Sequence, residues 1–518
     1  MSTIDNTSRA TAVGVGSKNV IFSTAGLNLT RKVVVVGTYD PAKATVVDEV
    51  PVQILNEGDA GDRFGFGFQL HRLIKAVFEG NGGAGEVWAV PQSESGGAAA
   101  SEGDITWVGT TTAAGTIYIR IGGKLYQVAI PSGSGPEDIS DAVVAELNAD
   151  ADIPVVVATT AVTFETTFTA KSKGPEGDNI SITLNREDGE SLPAGITSAT
   201  IQAMGVVTPG TGIPDIDDAL DGMGTGDDAN EKFFTHLVHG YGLDTSTIDK
   251  VSAYVGEGNT FNGLYSKLIT RPLMCLMADT DPGSSAYTAL KAITDARLED
   301  RANGVLGVPD DDDIPIEIAA RAIGLMAKIS QANPAQNYAK QVLVTEGGSV
   351  SAQRWTKDYS IRDSAVKAGI SPTRVISDTT YLQNVITFFR PASIPVVNNA
   401  FSSMRSLAII QDVGAFLRTV FESDAWTGIS IVADKSLVTD FDAKQKARDL
   451  TDVQTEVNNI SDFLASKSWS FDADFAKENS TISIRAASNG FDIDFKWKLS
   501  GEAQVYNIQS SFDINIAS

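Results

Sequence analysis

The sequence predicts a multidomain chain of mixed α/β and α+β class, in which a layered α/β domain is interrupted by a mostly-β segment and followed by an α+β block. Three observations carry this. The chain has 518 residues, too many for one ordinary core. Helix-like and strand-like patterns alternate over residues 26–96 and again over 201–370, the habit of βαβ layers. Between them, residues 97–200 hold β-type stretches with hairpin punctuation.

Residues 1–25 are rich in Ser, Thr, Asn and Gly, with apolar touches at Val13, Val15, Val20 and Phe22. Such a segment cannot bury enough surface to fold alone, so it reads as an N-terminal arm, loose or ordered on something else. The α/β domain begins with Val33-Val34-Val35-Val36, a run expected of a strand buried on both faces. Leu70, Leu73, Ile74, Val77 and Phe78 recur at helical spacing up to a glycine stop, and Val87–Val90 reads as a second buried strand.

A Ser/Gly/Ala linker over 92–104 leads into the inserted domain, 97–200. Its expected strands are Thr116–Ile121, Lys124–Ile130, Val162–Phe168 and Ile180–Leu184, with Gly122-Gly123 as a hairpin turn and a helix near Asp138–Leu147. In 201–370 the strands are expected at Phe234–Val238, Val251–Val255 and Leu273–Met277. Helices are expected at Ala286–Glu299, Ile316–Ile329 and Gln336–Lys340.

The block 371–502 should hold helices at Ser402–Glu422 and Asp442–Lys467. A tight Asn489-Gly490 turn should then lead into an alternating strand from Phe491 to Leu499. Residues 503–518 alternate again: Val505 and Tyr506, then Ile508, Phe512, Ile514 and Ile516, set among polar side chains. An amphipathic strand of this kind needs a sheet and an apolar surface, its own or a neighbour's.

The bulk numbers narrow the function. Net charge is −25, which repels phosphates and anionic lipid, so neither nucleic acid nor membrane insertion is expected. Over residues 200–320 there are 20 acidic against 7 basic side chains, so this part carries much of that field. No run of roughly 18 apolar residues is present to span a bilayer, and no signal peptide is visible at Met1–Asp5. Cys275 is the single cysteine, in an apolar run where a buried core thiol is the plain expectation.

Catalytic chemistry is not in view either. His236 and His239 form an H-x-x-H pair, but in a strand such residues point to opposite faces, and no third ligand is near in sequence. No G-x-S-x-G nucleophile turn or phosphate-binding loop occurs. Gly65-Phe66-Gly67 lacks the third glycine of a dinucleotide fingerprint and reads as a loop that starts a helix. The acidic groups Asp215–Asp218 and Asp310–Asp313 lack calcium-loop spacing and read as solvated loops. No catalytic, cofactor-binding or metal-binding residue is therefore expected.

Three stretches resemble the contractile tail sheath family, its Mu-like branch in particular. They are Val50–Ile54 with Asp59–Leu70; Thr169–Asn179, similar to a recurring KNKGxxGN pattern from which Ser172 and Asp178 depart; and Ile386–Pro391, similar to the strand leading into the tube-facing domain. The resemblance implies a central α/β domain that is subtilisin-like in fold and not catalytic, a variable inserted β domain, and a tube-facing C-terminal domain. It implies hexameric rings stacked around an inner tube, and contraction by rigid-body movement that drives the tube through a target envelope. Partners would be further copies of the chain and the tail tube, baseplate and tail terminator proteins, in a virion tail assembled in the host cytoplasm. The arm and the strand 503–518 would then join neighbouring subunits by strand addition. The rival readings are a non-contractile tube or surface structural protein and, less well matched, a subtilisin-like hydrolase.

Overall fold

The computed structural model describes residues 29–43, 45–224, 233–267, 272–281, 287–345, 347–348, 350–391, 400–486 and 489–502. The expected arm with Val13, Val15, Val20 and Phe22, and the expected joining strand with Val505, Tyr506, Ile508, Phe512, Ile514 and Ile516, lie outside the described residues.

The chain opens with β1 (Lys32–Thr38), β2 (Val52–Ile54), α1 (Glu57–Phe64), α2 (Gln69–Asn81) and β3 (Glu86–Gln92). Next come β4 (Glu102–Gly109), β5 (Gly115–Ile121), β6 (Lys124–Ile130), α3 (Pro136–Asn148), β7 (Val155–Thr159), β8 (Thr166–Ala170), β9 (Ile182–Leu184) and β10 (Ile196–Gln202). The α/β alternation resumes with α4 (Ile216–Met223), β11 (His236–His239), α5 (Thr245–Val255), β12 (Met274–Asp279), α6 (Thr288–Asp295) and β13 (Asn303–Gly307). It continues through α7 (Pro315–Ala332), β14 (Val342–Leu343), α8 (Val350–Trp355), α9 (Tyr359–Lys367), β15 (Ser371–Ile376) and β16 (Thr379–Leu382). The last block holds α10 (Met404–Phe421), β17 (Ser430–Ile431), α11 (Phe441–Lys446), β18 (Ala447–Arg448), α12 (Leu450–Ser466), α13 (Ala473–Asn479), β19 (Thr481–Ile484) and β20 (Phe491–Asp494).

Nine strands form one sheet in the order β14-β16-β15-β13-β12-β11-β1-β3-β2. The strands from β15 to β3 run parallel, and the edge strands β2, β16 and β14 pair antiparallel. Its centre explains the valine run of β1. Val33 and Val35 pack in a core with Leu73, Ile74 and Val77 of α2 and Ile323 of α7, while Val34 and Val36 face Leu220 of α4 and Val251 of α5. A strand covered by helices on both faces has no polar side to show.

Residues 102–202 build two further sheets, β10-β4-β8-β7 and β6-β5-β9, with α3 packed among them. This inserted block meets the carboxyl ends of the central strands. The last block meets the opposite, amino ends: Gln411 of α10 donates to the carbonyls of Thr235 (2.9 Å) and Pro272 (2.6 Å), just ahead of β11 and β12. Phe388 N–H likewise donates to Asn303 O at the start of β13.

Several expectations from sequence are corrected. Val251–Val255, expected as a strand, closes α5, whose Ile248, Val251, Ser252 and Val255 are buried at helical spacing behind the Asp244 cap. No helix forms over 336–340; α7 ends at Ala332, capped by an extended Asn333 that Pro334 follows. The helix expected over 442–467 is broken into α11 and α12, because Asp449 and Asp452 form a capping box that restarts the helix. Val162 is 86% exposed and outside any strand, and β8 starts at Thr166. Asn489-Gly490 does not make a two-residue turn; Arg485 N–H bonds Gly490 O across a longer loop. The linker expected over 92–104 runs directly into β4.

Candidate functional site

Strands leave β1 in both directions, to β3 on one side and to β11 on the other. In open α/β sheets the crevice outside the carboxyl ends at such a reversal is where ligands sit. Here the chain fills it. The Gln69 side chain accepts from Thr38 N–H (2.9 Å) and donates to Gly240 O (2.6 Å), stapling the ends of β1 and β11 together. A Cβ at Gly240 would overlap the Gln69 amide, so glycine is needed for this approach. The N-terminus of α2 has no cap from its own strand–helix loop; instead Ser172 of the inserted block accepts from Gln69 N–H at 2.9 Å. That hydroxyl occupies the position where a phosphate-binding α/β protein would present free amides to its ligand.

The loop carrying Ser172 is the Thr169–Asn179 stretch singled out in the sequence. Lys171 donates to Phe66 O (3.2 Å) and Ala151 O (2.8 Å), Lys173 pairs with Glu94 (3.0 Å), and Glu176 lies against Gly242. Burial lifts the Glu176 carboxyl to about 7. The Gly65–Gly67 loop starts α2, as expected, and the loop's Phe66 and Gly67 make contacts to the inserted block and to His71 rather than to a ligand.

His236 and His239 are both buried, and their Nε2 atoms have no hydrogen-bond partner. They sit three residues apart in β11 and so face opposite sides of the sheet. Burial depresses both imidazoles, that of His239 to about 4. Among the described residues no group of three His, Cys, Asp or Glu side chains is placed to hold a metal. The run Asp310–Asp313 is not the solvated loop expected. Asp311 and Asp313 are buried; Asp313 pairs with Arg321 (3.0 Å), and Asp312 with Arg186 of the inserted block (3.3 Å). An acidic run reads as solvated only until cationic partners from distant segments arrive. Cys275 is buried in β12, and burial raises its thiol well above the ordinary range.

At the amino ends, one helix organises the chain's exits. Asp412 of α10 accepts from Leu29 N–H (2.8 Å) and forms a fully buried ion pair with Arg31. Arg31 also donates to Gln411 (2.8 Å) and to Ser330 O (3.3 Å). Two turns earlier on α10, Arg405 donates to Ser500 O (2.8 Å) and Ser500 Oγ (2.9 Å), and Ser403 Oγ donates to Glu502 (2.6 Å). The points where residues 1–28 and 503–518 join the described body are thus held by a single helix. Neither Arg31 nor Asp412 was singled out in the sequence, although two polar residues, Gln411-Asp412, inside the apolar run Leu407–Val413 were a readable signal of a buried partner.

Farther along α10 lies an apolar groove of ≈ 640 Å³, lined among others by Leu417, Phe421, Ile431, Ile460, Phe491 and Phe495. β19 pairs with one side of β20, and no described strand pairs with the other.

These features define a layered, multidomain α/β protein whose enzyme-type crevice is closed by its own side chains. Over 194 residues, 38% of the chain, it is 31% identical to the Mu-like prophage FluMu tail sheath protein of Haemophilus influenzae, and the match spans 38% of that relative's length. The tail sheath resemblance noted in the sequence is borne out over that stretch. Among solved structures, the sheath tail protein of Desulfitobacterium hafniense aligns with 95% of this chain and 98% of its own at 10% identity, TM-score 0.44. The helical sheath of the anti-feeding prophage in its contracted state aligns with 98% and 100% at 9% identity, TM-score 0.45. No family model matches.

Proposed function

We propose that the chain is a structural subunit of a contractile tail sheath, with no catalysis of its own. It would polymerise as stacked hexameric rings around an inner tube and contract by rigid-body movement of subunits. The observation that carries this reading is a side of β20 with no partner strand among the described residues, beside an apolar groove, in a chain whose residues 503–516 alternate to match such a surface. A strand from another copy laid along β20 would gain main-chain hydrogen bonds and pockets for alternate side chains. Repeated head to tail, such joints do not close, which generates a helical array. The N-terminal arm 1–25 would act as a second joint, and α10 holds both exits.

Three further observations support the reading. The similarity to a tail sheath protein points to a polymer component. The Gln69–Ser172 and Gln69–Gly240 contacts sit where a ligand of such a sheet would bind. The two ends of the central sheet carry different blocks, so one can face a tube while the other, 97–200, faces outward. The central domain would be the subtilisin-like sheath domain, 26–96 with 201–370, and 371–502 the tube-facing one. The first half of α10 is buried in the body, so the exposed Leu437 and Phe441, with the cations Lys444 and Lys446 nearby, offer the better tube-facing surface. Partners would include the tail tube, baseplate and tail terminator proteins, and the location a virion tail assembled in the host cytoplasm.

The test is negative-stain electron microscopy of the full chain and of a form lacking 503–518. The full chain is expected to give wide hollow cylinders, and the deletion folded but dispersed subunits. Normal cylinders from the deletion would remove the joint from the proposal.

A further inference from the structure

The hairpin β19–β20 poses a problem of self-recognition. Hydrogen bonding across it, Arg485 N–H to Gly490 O, together with Phe471 N–H to Lys498 O and Ser500 N–H to Trp469 O, turns the even-numbered backbone groups toward β19 and residues 469–471. β20 ends at Asp494, and backbone groups alternate along a strand, so those of 491 and 493 point away from β19, to the side where no described strand pairs; past β20, Lys498 and Ser500 keep bonding on the even-numbered side. The nearest segment able to bond the odd-numbered side is the chain's own continuation. A four-residue loop over Ser500–Ala503, containing Gly501, would set Trp497 opposite Tyr506, Phe495 opposite Ile508 and Phe491 opposite Phe512 on one face, with Val505 alone among the larger apolar residues on the other. A connection this short closes at little entropic cost, and would fill the edge before any second copy arrived.

The structure shows the chain doing something else at Ser500–Glu502. Phe491 and Phe495 lie by Leu417 and Phe421 at the far end of α10, Ser500 lies at Arg405, and Glu502 reaches Ser403 at the start of the helix. The chain therefore advances along α10 and is still advancing at Glu502, where a return loop would have reversed it. Arg405 is 4% exposed and donates also to Ala335 O (2.6 Å), which fixes the guanidinium on the body of the protein. Three of its nitrogens are thus committed, two of them to Ser500.

We propose that Ser403 and Arg405 form a clamp on Ser500–Glu502 that keeps the following segment from closing on its own β20, and so reserves that edge for a second copy of this chain. The proposal rests on the strand-joining reading above. The clamp acts as a bias between two pairings of the same segment, in cis and in trans. It does its work by holding the turn residues, and none of its groups touches the acceptor edge.

The test uses a synthetic peptide of residues 503–518 as the probe, with subunits kept dilute enough to be monodisperse by light scattering. The wild-type full chain should bind the peptide. Full-length Arg405→Met, which keeps an apolar stem, should bind it at least ~10-fold more weakly, because its own segment now covers the edge. Arg405→Met lacking 503–518 should recover the binding of the wild-type chain lacking 503–518. Ser403→Ala, a milder change, should move binding in the same direction by less. Equal binding by full-length wild type and Arg405→Met overturns the clamp. So does weak binding that persists in Arg405→Met lacking 503–518, since Arg405 would then be shaping the acceptor itself. Peptide bound by no form, including the wild-type chain lacking 503–518, overturns the strand-joining reading and the clamp with it.

Discussion

The two ends of the central sheet are sealed by different chemistry. At the carboxyl ends, the inserted block is held by neutral hydrogen bonds through Gln69 and Ser172 and by ion pairs that keep contact with water, such as Lys173–Glu94. At the amino ends, α10 is held by Arg31–Asp412, an ion pair with no exposure on either side chain. Water reaches the Lys173–Glu94 pair of the first set, but it does not reach Arg31–Asp412. The amino end should therefore be the stiff one, with its contacts failing only as a unit. That suits an end where both chain exits are anchored.

The largest expected effect tests this difference directly. Asp412→Ala leaves Arg31 buried without its carboxylate and should cost about 3–5 kcal/mol in urea unfolding. The double variant Arg31→Met with Asp412→Leu should lie much nearer wild type, because no charge is left stranded. A double variant as unstable as the single one would mean that the pair is valued for Leu29 and Gln411 rather than for its charge.

Next comes acid. His239 titrates near 4 in the fold and near 6.5 when unfolded, so the unfolded chain binds the extra proton first. Its contribution is fully present above about pH 6.5 and is lost as pH falls toward 4, about 3 kcal/mol in all. Asp300 works in the opposite sense. Burial lifts it to about 6, so its contribution is greatest below its ordinary value and fades as pH rises through 6. Comparing His239→Gln with wild type from pH 4 to 7 isolates the first effect, and a difference that does not change with pH would refute it.

At the carboxyl end, Gln69→Ala leaves Thr38 N–H and Gly240 O without partners and should cost about 1–3 kcal/mol. Hydrogen exchange should quicken first at the ends of β1 and β11. The smallest effect is expected of Lys173→Ala, whose half-exposed pair with Glu94 should contribute no more than about 0.5 kcal/mol. A loss as large as that of Gln69→Ala would erase the distinction between neutral staple and surface pair.

The fold was legible where local pattern and tertiary burial agree. Val33–Val36 reads as a doubly covered strand because four consecutive apolar residues cannot all be buried in a one-sided sheet. The Gly122-Gly123 turn was legible because both glycines take positive φ, as a tight hairpin requires. Val251–Val255 was not, since a five-residue apolar stretch fits either period, and the decisive cap, Asp244, lies seven residues upstream. Of the candidate site, Thr169–Asn179 stood out in the sequence, but its task did not, because Gln69 and Gly240 are brought to it only by folding.

The amino-acid sequence by itself determined the alternating α/β layers, the inserted β segment, the acidic surface and the amphipathic pattern of 503–516. Each of these is written in neighbouring residues and their spacing. Tertiary structure alone decided that Arg31 meets Asp412, that Ser172 caps α2, and that Arg405 holds Ser500. These partners are far apart in the chain, and a buried charge or amide carries no local mark of what will satisfy it.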